Sequence, residues 1–145
     1  GQPAAVFRSL WRLPRAGMIT DHASTGGLSV AVGEGGRLRR PRSRLLDDPD
    51  DDHPDFGARI TDRILPAHKE LLELACRAHD ATRLDGLLSW DVALLESGPS
   101  LMEGNSVGSF ESVQVGFDEP LGATEFVAIA DQLLGSSFED SSSSS

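Results

Sequence analysis

The chain has 145 residues, 39% of them apolar and 25% charged, enough for one domain with a modest core. Its net charge of −10 argues against a nucleic-acid partner, which would call for a basic stripe, and no apolar run approaches the roughly 18 residues that span a bilayer. A single cysteine, Cys76, rules out an internal disulfide and any multi-cysteine metal site.

The first residues lack a basic segment followed by a long apolar one, so the expectation is a cytoplasmic protein with no membrane partner. Residues 4–13, "AAVFRSLWRL", suit a strand, with Arg8 and Arg12 interleaved among Val6, Leu10 and Trp11; a run this short leaves helix open. Pro14 and Gly17 break it, and "DHASTGG", 21–27, is loop chemistry. "LSVAV", 28–32, alternates and is rich in β-branched residues, which predicts a strand. "GEGG", 33–36, predicts a tight turn, with Arg37–Arg40 returning as a basic edge strand. Residues 41–57 hold Pro41, Pro49 and Pro54 with Asp47, Asp48, Asp50, Asp51, Asp52 and Asp55, and read as an exposed acidic loop without calcium-loop spacing.

The strongest helix signal covers 66–83, "PAHKELLELACRAHDATR". Pro66 fits the first turn, and Leu71, Leu72, Ala75 and Cys76 lie opposite Lys69, Glu70, Glu73, Arg77 and Asp80. Cys76 is therefore expected as a small core residue. His68 and His79, about three turns apart, do not form one metal site. A hairpin follows at 87–106, then a second helix at about 122–134, then a Ser-rich tail, 136–145, expected to be disordered. This order predicts an α+β fold, a mostly antiparallel sheet with helices packed on one face, over residues 1–135.

The hairpin carries the chemistry. Alternation along "LLSWDVALL" puts Ser89, Asp91, Ala93 and Leu95 on one face and Leu88, Trp90, Val92 and Leu94 on the other. In the partner strand Leu101, Glu103 and Asn105 share a face. A three-residue loop, Ser97-Gly98-Pro99, places Asp91 opposite Asn105 and diagonal to Glu103. A two- or four-residue loop turns Asp91 to the opposite face, and the sequence leaves that register open. Two converging carboxylates call for a cation, and hard oxygen donors of this kind suit Mg²⁺.

The stretch "SWDVALLESGPSLMEGNS" resembles the closing hairpin of the ATP-grasp superfamily, most closely its sugar-transfer-associated branch. "HPDFG" at 53–57, the helix from Ile64 and "LWRLPRAGMITDHASTGGLSVAV" at 10–32 extend the resemblance over roughly residues 5–115. It implies that Asp91, Glu103 and Asn105 are the ligands of Mg²⁺ in Mg-ATP. It also implies that Arg12 approaches phosphate or substrate as a catalytic residue. Trp90 is expected in the core, turned away from Asp91. The implied activity is that of a ligase that makes an acyl phosphate from a carboxylate and ATP for attack by an amine or similar nucleophile, linked to sugar-transfer or polysaccharide metabolism. The chain holds a single lysine, Lys69, so the nucleotide-gripping lysines of an ATP-grasp domain are missing. It looks like the C-terminal half, requiring an N-terminal half for activity; the alternative is a truncated, non-catalytic binding module.

Overall fold

The computed structural model describes residues 2–47, 49–106, 108 and 110–142, the side chains of Ala23 and of 136–142 excepted. Strand β1, Leu10–Leu13, pairs antiparallel with β2, Leu28–Ala31, with Arg12 opposite Ser29. The proline at 14 ends β1, which is shorter than the run from residue 4 predicted. The connecting loop passes so close to Gly27 that a Cβ there would lie 2.3 Å from the Asp21 carbonyl oxygen. Only glycine fits, which accounts for the second glycine of "TGG".

All four residues of β2 are buried, as befits a strand covered on both faces. One face joins Leu28 and Val30 to Val32, Leu38 and Ile60 in the core, with Trp11, Leu13, Leu46 and Leu65 packed around them. Burying each of these aliphatic side chains contributes roughly 1.5–3 kcal/mol. The other face meets helix α2, Phe110–Phe117, where Gly116 permits close approach: a Cβ would meet Leu10 at 2.4 Å and Ser29 Cβ at 3.5 Å. The residues 110–117 were not anticipated as a helix.

After β2 a turn at Glu34–Gly36 reverses the chain, with Gly35 at φ 64° and Gly36 at φ 82°. The expected edge strand from Arg37 to Arg40 is reduced to isolated bridges, Val32 to Leu38 and Ser29 to Arg42. The segment is not an edge: Gly33 N–H donates to the Arg37 carbonyl and Arg39 N–H to the Ala31 carbonyl on the β2 side, while Leu38, in the non-hydrogen-bonded pair between them, donates to the Arg63 carbonyl and accepts from Asp62 N–H on the other.

The acidic segment 41–57 keeps Asp50 exposed, but arginines hold it down. Arg59 reaches Asp51 at 3.1 Å, and Arg40 lies 3.9 Å from both Asp50 and Asp51. Asp48, counted in the same run, lies outside the described residues.

Helix α1, His68–Thr82, sits within the predicted 66–83 and ends with Arg83 in the left-handed conformation at φ 57°. It packs against the hairpin of β3, Ser89–Leu95, and β4, Gly98–Asn105, and no residue of it is fully buried. Cys76 is half-buried, and burial together with Asp80 pushes its thiol up from the ordinary range. Helix α3 spans Phe126–Ser142, later than the predicted 122–134. The turn at Leu121–Ala123 precedes it, and Thr124 Oγ1 accepts the Phe126 N–H at 3.2 Å. Of the Ser-rich segment, the backbone is helical through Ser142 and residues 143–145 lie outside those described. The fold is α+β with antiparallel pairing, as expected, but the pairing is divided between two two-stranded ribbons.

Candidate functional site

The hairpin turns through two residues, Glu96 and Ser97, with Leu95 opposite Gly98. That loop alone would turn Asp91 away from Glu103. A β-bulge between Asp91 and Val92 corrects the phase: Val92 pairs with Leu101, Asp91 pairs with Glu103, and Met102 is left over. The expected three-residue loop is thus replaced by a shorter loop plus a bulge. Asp91 lies opposite Glu103 and not Asn105, and Asn105 lies opposite Ser89. Residues directly opposite share a face, so Ser89, Asp91, Glu103 and Asn105 do so. Leu101, on the far side of the bulge, shares the face of Val92 and leaves the set to which simple alternation assigned it.

The opposite face explains the glycine between the two polar residues. Trp90 pairs with Gly104, and a Cβ on Gly104 would lie 2.5 Å from the indole Cζ3. Trp90 is half-buried in this packing and faces away from Asp91, as alternation predicted.

Arg12 reaches across from the other ribbon. Its Nη2 donates to Asp91 Oδ2 at 3.2 Å, while its Nε lies 3.2 Å from Asp21 Oδ2. One guanidinium therefore links a carboxylate of the hairpin to a carboxylate of the β1–β2 loop. The sequence marks Asp21 only as loop chemistry, since nothing in "DHASTGG" signals a partner nine positions upstream. Glu103 is exposed and Asn105 half-buried. Arg12, Asp21, Asp91 and Asn105 line a cleft of about 1950 Å³ that extends past Trp11, Leu71, Leu72 and Cys76; Glu103 does not line it.

The exit of the Arg12 strand is fixed by a clasp from "HPDFG". His53 is 6% exposed, with Nε2 3.0 Å from the Pro14 carbonyl, to which it donates, and Nδ1 accepting the Asp55 N–H at 3.2 Å. The Asp55 carboxylate takes two 2.6 Å bonds from Arg15 and one of 2.8 Å from the Ala16 N–H. The Arg15 guanidinium, with that backbone donor, holds the Asp55 carboxyl far below the usual carboxylate range. Deeper in the cleft, His68 Nε2 lies 3.2 Å from Ser9 Oγ, and burial lowers the imidazole pKa.

Among the described residues no three or more of His, Cys, Asp and Glu gather as a metal cluster would, and no helix is long and apolar enough to cross a membrane. The hairpin set is two carboxylates and an amide. Its hard oxygens are the donor type Mg²⁺ prefers, so the chemistry of the donor set suits a divalent ion, and the Arg12 guanidinium stands on Asp91 where such an ion would compete with it.

A family model described as sugar-transfer associated ATP-grasp matches residues 4–125. The chain belongs to the sugar-transfer associated ATP-grasp family. No curated protein and no solved structure matches it. Within this ATP-grasp chain the match runs from before β1 to just before α3 and includes Arg12, Asp91, Glu103 and Asn105. Membership brings an ATP-grasp-type ligase fold and its association with nucleotide binding, and the α+β architecture is consistent with part of that domain.

Proposed function

We propose that this chain is the metal- and ATP-binding half of an ATP-grasp ligase. In that reading Asp91, Glu103 and Asn105 hold Mg²⁺ and, through it, ATP. The enzyme phosphorylates a small-molecule carboxylate, and an amine or similar nucleophile attacks the acyl phosphate, in the cytoplasm and in the service of sugar-transfer or polysaccharide chemistry. The observation that carries the reading is the cross-strand pairing of Asp91 with Glu103, with Asn105 on the same face. When bound, Mg²⁺ neutralises charge that develops on the transferred phosphoryl group. Arg12, beside Asp91, adds a positive charge where phosphate oxygens would lie. The cleft beyond it gives the carboxylate substrate room.

One feature favours a second reading, a non-catalytic binding module. The sole lysine, Lys69, lies on α1 with its side chain 84% exposed, 3.7 Å from Glu73, and is not among the cleft-lining residues. Phosphate-gripping lysines would have to come from a separate N-terminal half. The test is Mg²⁺-dependent ATP binding by calorimetry, comparing this chain with one extended upstream. The ligase reading predicts binding by the extended chain that Glu103→Gln abolishes. No binding by the extended chain, or binding indifferent to Glu103→Gln, removes it.

A further inference from the structure

Arg12 and Asp21 belong to the β1–β2 ribbon and its loop, and Asp91 to the hairpin ribbon. Arg12 is paired opposite Ser29 in the β1–β2 ribbon. Asp21 is pressed onto the start of β2, where its carbonyl lies against Gly27 and the Gly27 N–H donates to the His22 carbonyl at 3.1 Å. Asp91 is carried by the separate hairpin ribbon. The guanidinium spends one edge on each: Nε toward Asp21 and Nη2 toward Asp91, both at 3.2 Å. All three side chains remain about one-third exposed, at 37%, 32% and 38%, so water and ions reach them. An ion pair this exposed is weak, and a divalent cation competes with it readily.

We infer that Arg12 is a resident counter-cation on Asp91 that Mg²⁺ displaces, and that Asp21 is a positioning residue that keeps the displaced guanidinium at the site. This rests on the cation-site reading above and adds to it an exchange. As the Asp91 carboxylate turns to the metal, the Nη2 edge of Arg12 is freed toward incoming phosphate oxygens while the Nε edge stays on Asp21. Among the described residues Asp21 is the carboxylate of the β1–β2 loop that faces Arg12, and it holds the guanidinium against the charge of the arriving cation. The arrangement also solves a problem of the metal-free chain, since Arg12 compensates Asp91, one of the two paired carboxylates.

The experiment is an NMR titration with Mg²⁺ alone, following side-chain carboxyl carbons and the arginine Nε–H and Nη signals. Saturable shifts are expected at Asp91 and Glu103, with a shift of Arg12 Nη and a constant Arg12 Nε–H. Asp21→Asn should move the Nε–H signal in both metal-free and metal-loaded chain, and Arg12→Gln, which removes the competing positive charge, should tighten Mg²⁺ binding by roughly two- to fivefold. Shifts at Asp91 and Glu103 without any response of Arg12 Nη, an Nε–H indifferent to Asp21→Asn, or unchanged affinity in Arg12→Gln would each overturn the exchange while leaving the cation site intact. Silence at both carboxyls would sink the cation site, and the exchange with it.

Discussion

Trp90 lies across Gly104 with its six-membered ring where a β-carbon of residue 104 would have to be. The indole thereby seals one face of the hairpin and leaves Glu103 and Asn105, on either side of the glycine, to point from the other. The contact holds even though the indole Nε1 is buried without a hydrogen-bond partner among the described residues, a cost of about 1–3 kcal/mol. The Glu-Gly-Asn order is thus a packing requirement and a placement of polar groups at once.

Gly104→Ala is expected to destabilise the chain by about 1–3 kcal/mol, because a methyl 2.5 Å from the ring forces the indole or the strand to move. Chemical denaturation checks the stability. The same variant should weaken divalent-cation binding, since any shift of β4 moves both neighbours.

The Asp55 clasp makes stability acid-sensitive. Its folded pKa is depressed, so its contribution is fully present above the unfolded value of roughly 3.9 and is lost as pH falls toward the lower folded value. Melting temperature measured from pH 6 downward should fall most steeply below about pH 4. Asp55→Asn should lower the melting temperature at neutral pH and flatten that acid limb.

The core lies at β2 and not at the hairpin. Leu28→Ala, at a site 0% exposed, should cost about 2–5 kcal/mol. Leu94→Ala, at a site 42% exposed, should fall within about 0.5 kcal/mol of the parent chain. Paired urea titrations of the two variants measure the contrast.

Periodicity made α1 and β2 legible, because each carries a run whose spacing admits one reading. The carboxylate pair was legible in residue type and not in register. Whether Asp91 meets Glu103 depends on a turn and a bulge, and a bulge at Met102 leaves no mark in an exposed methionine. Helix α2 was hidden because "FESVQVGF" is short, and its glycine, usually a helix breaker, is required by the approach to Leu10. The segment at Arg37–Arg40 is not the edge that local pattern suggests, because Arg37 and Arg39 bond toward β2 while Leu38 bonds to residues 62 and 63, a long-range pairing that the sequence does not encode. Asp21 belongs to the same class: its role comes from a guanidinium that the fold swings across from β1.

Paramagnetic broadening by Mn²⁺, used as a stand-in for Mg²⁺, tests the central claim most directly. Titrated into the isotopically labelled chain, substoichiometric Mn²⁺ should broaden the amide signals of Asp91, Glu103 and Asn105 first, and Glu103→Gln should remove that selectivity. Broadening concentrated instead on the aspartates of the 47–55 segment, with the hairpin unaffected, would contradict it.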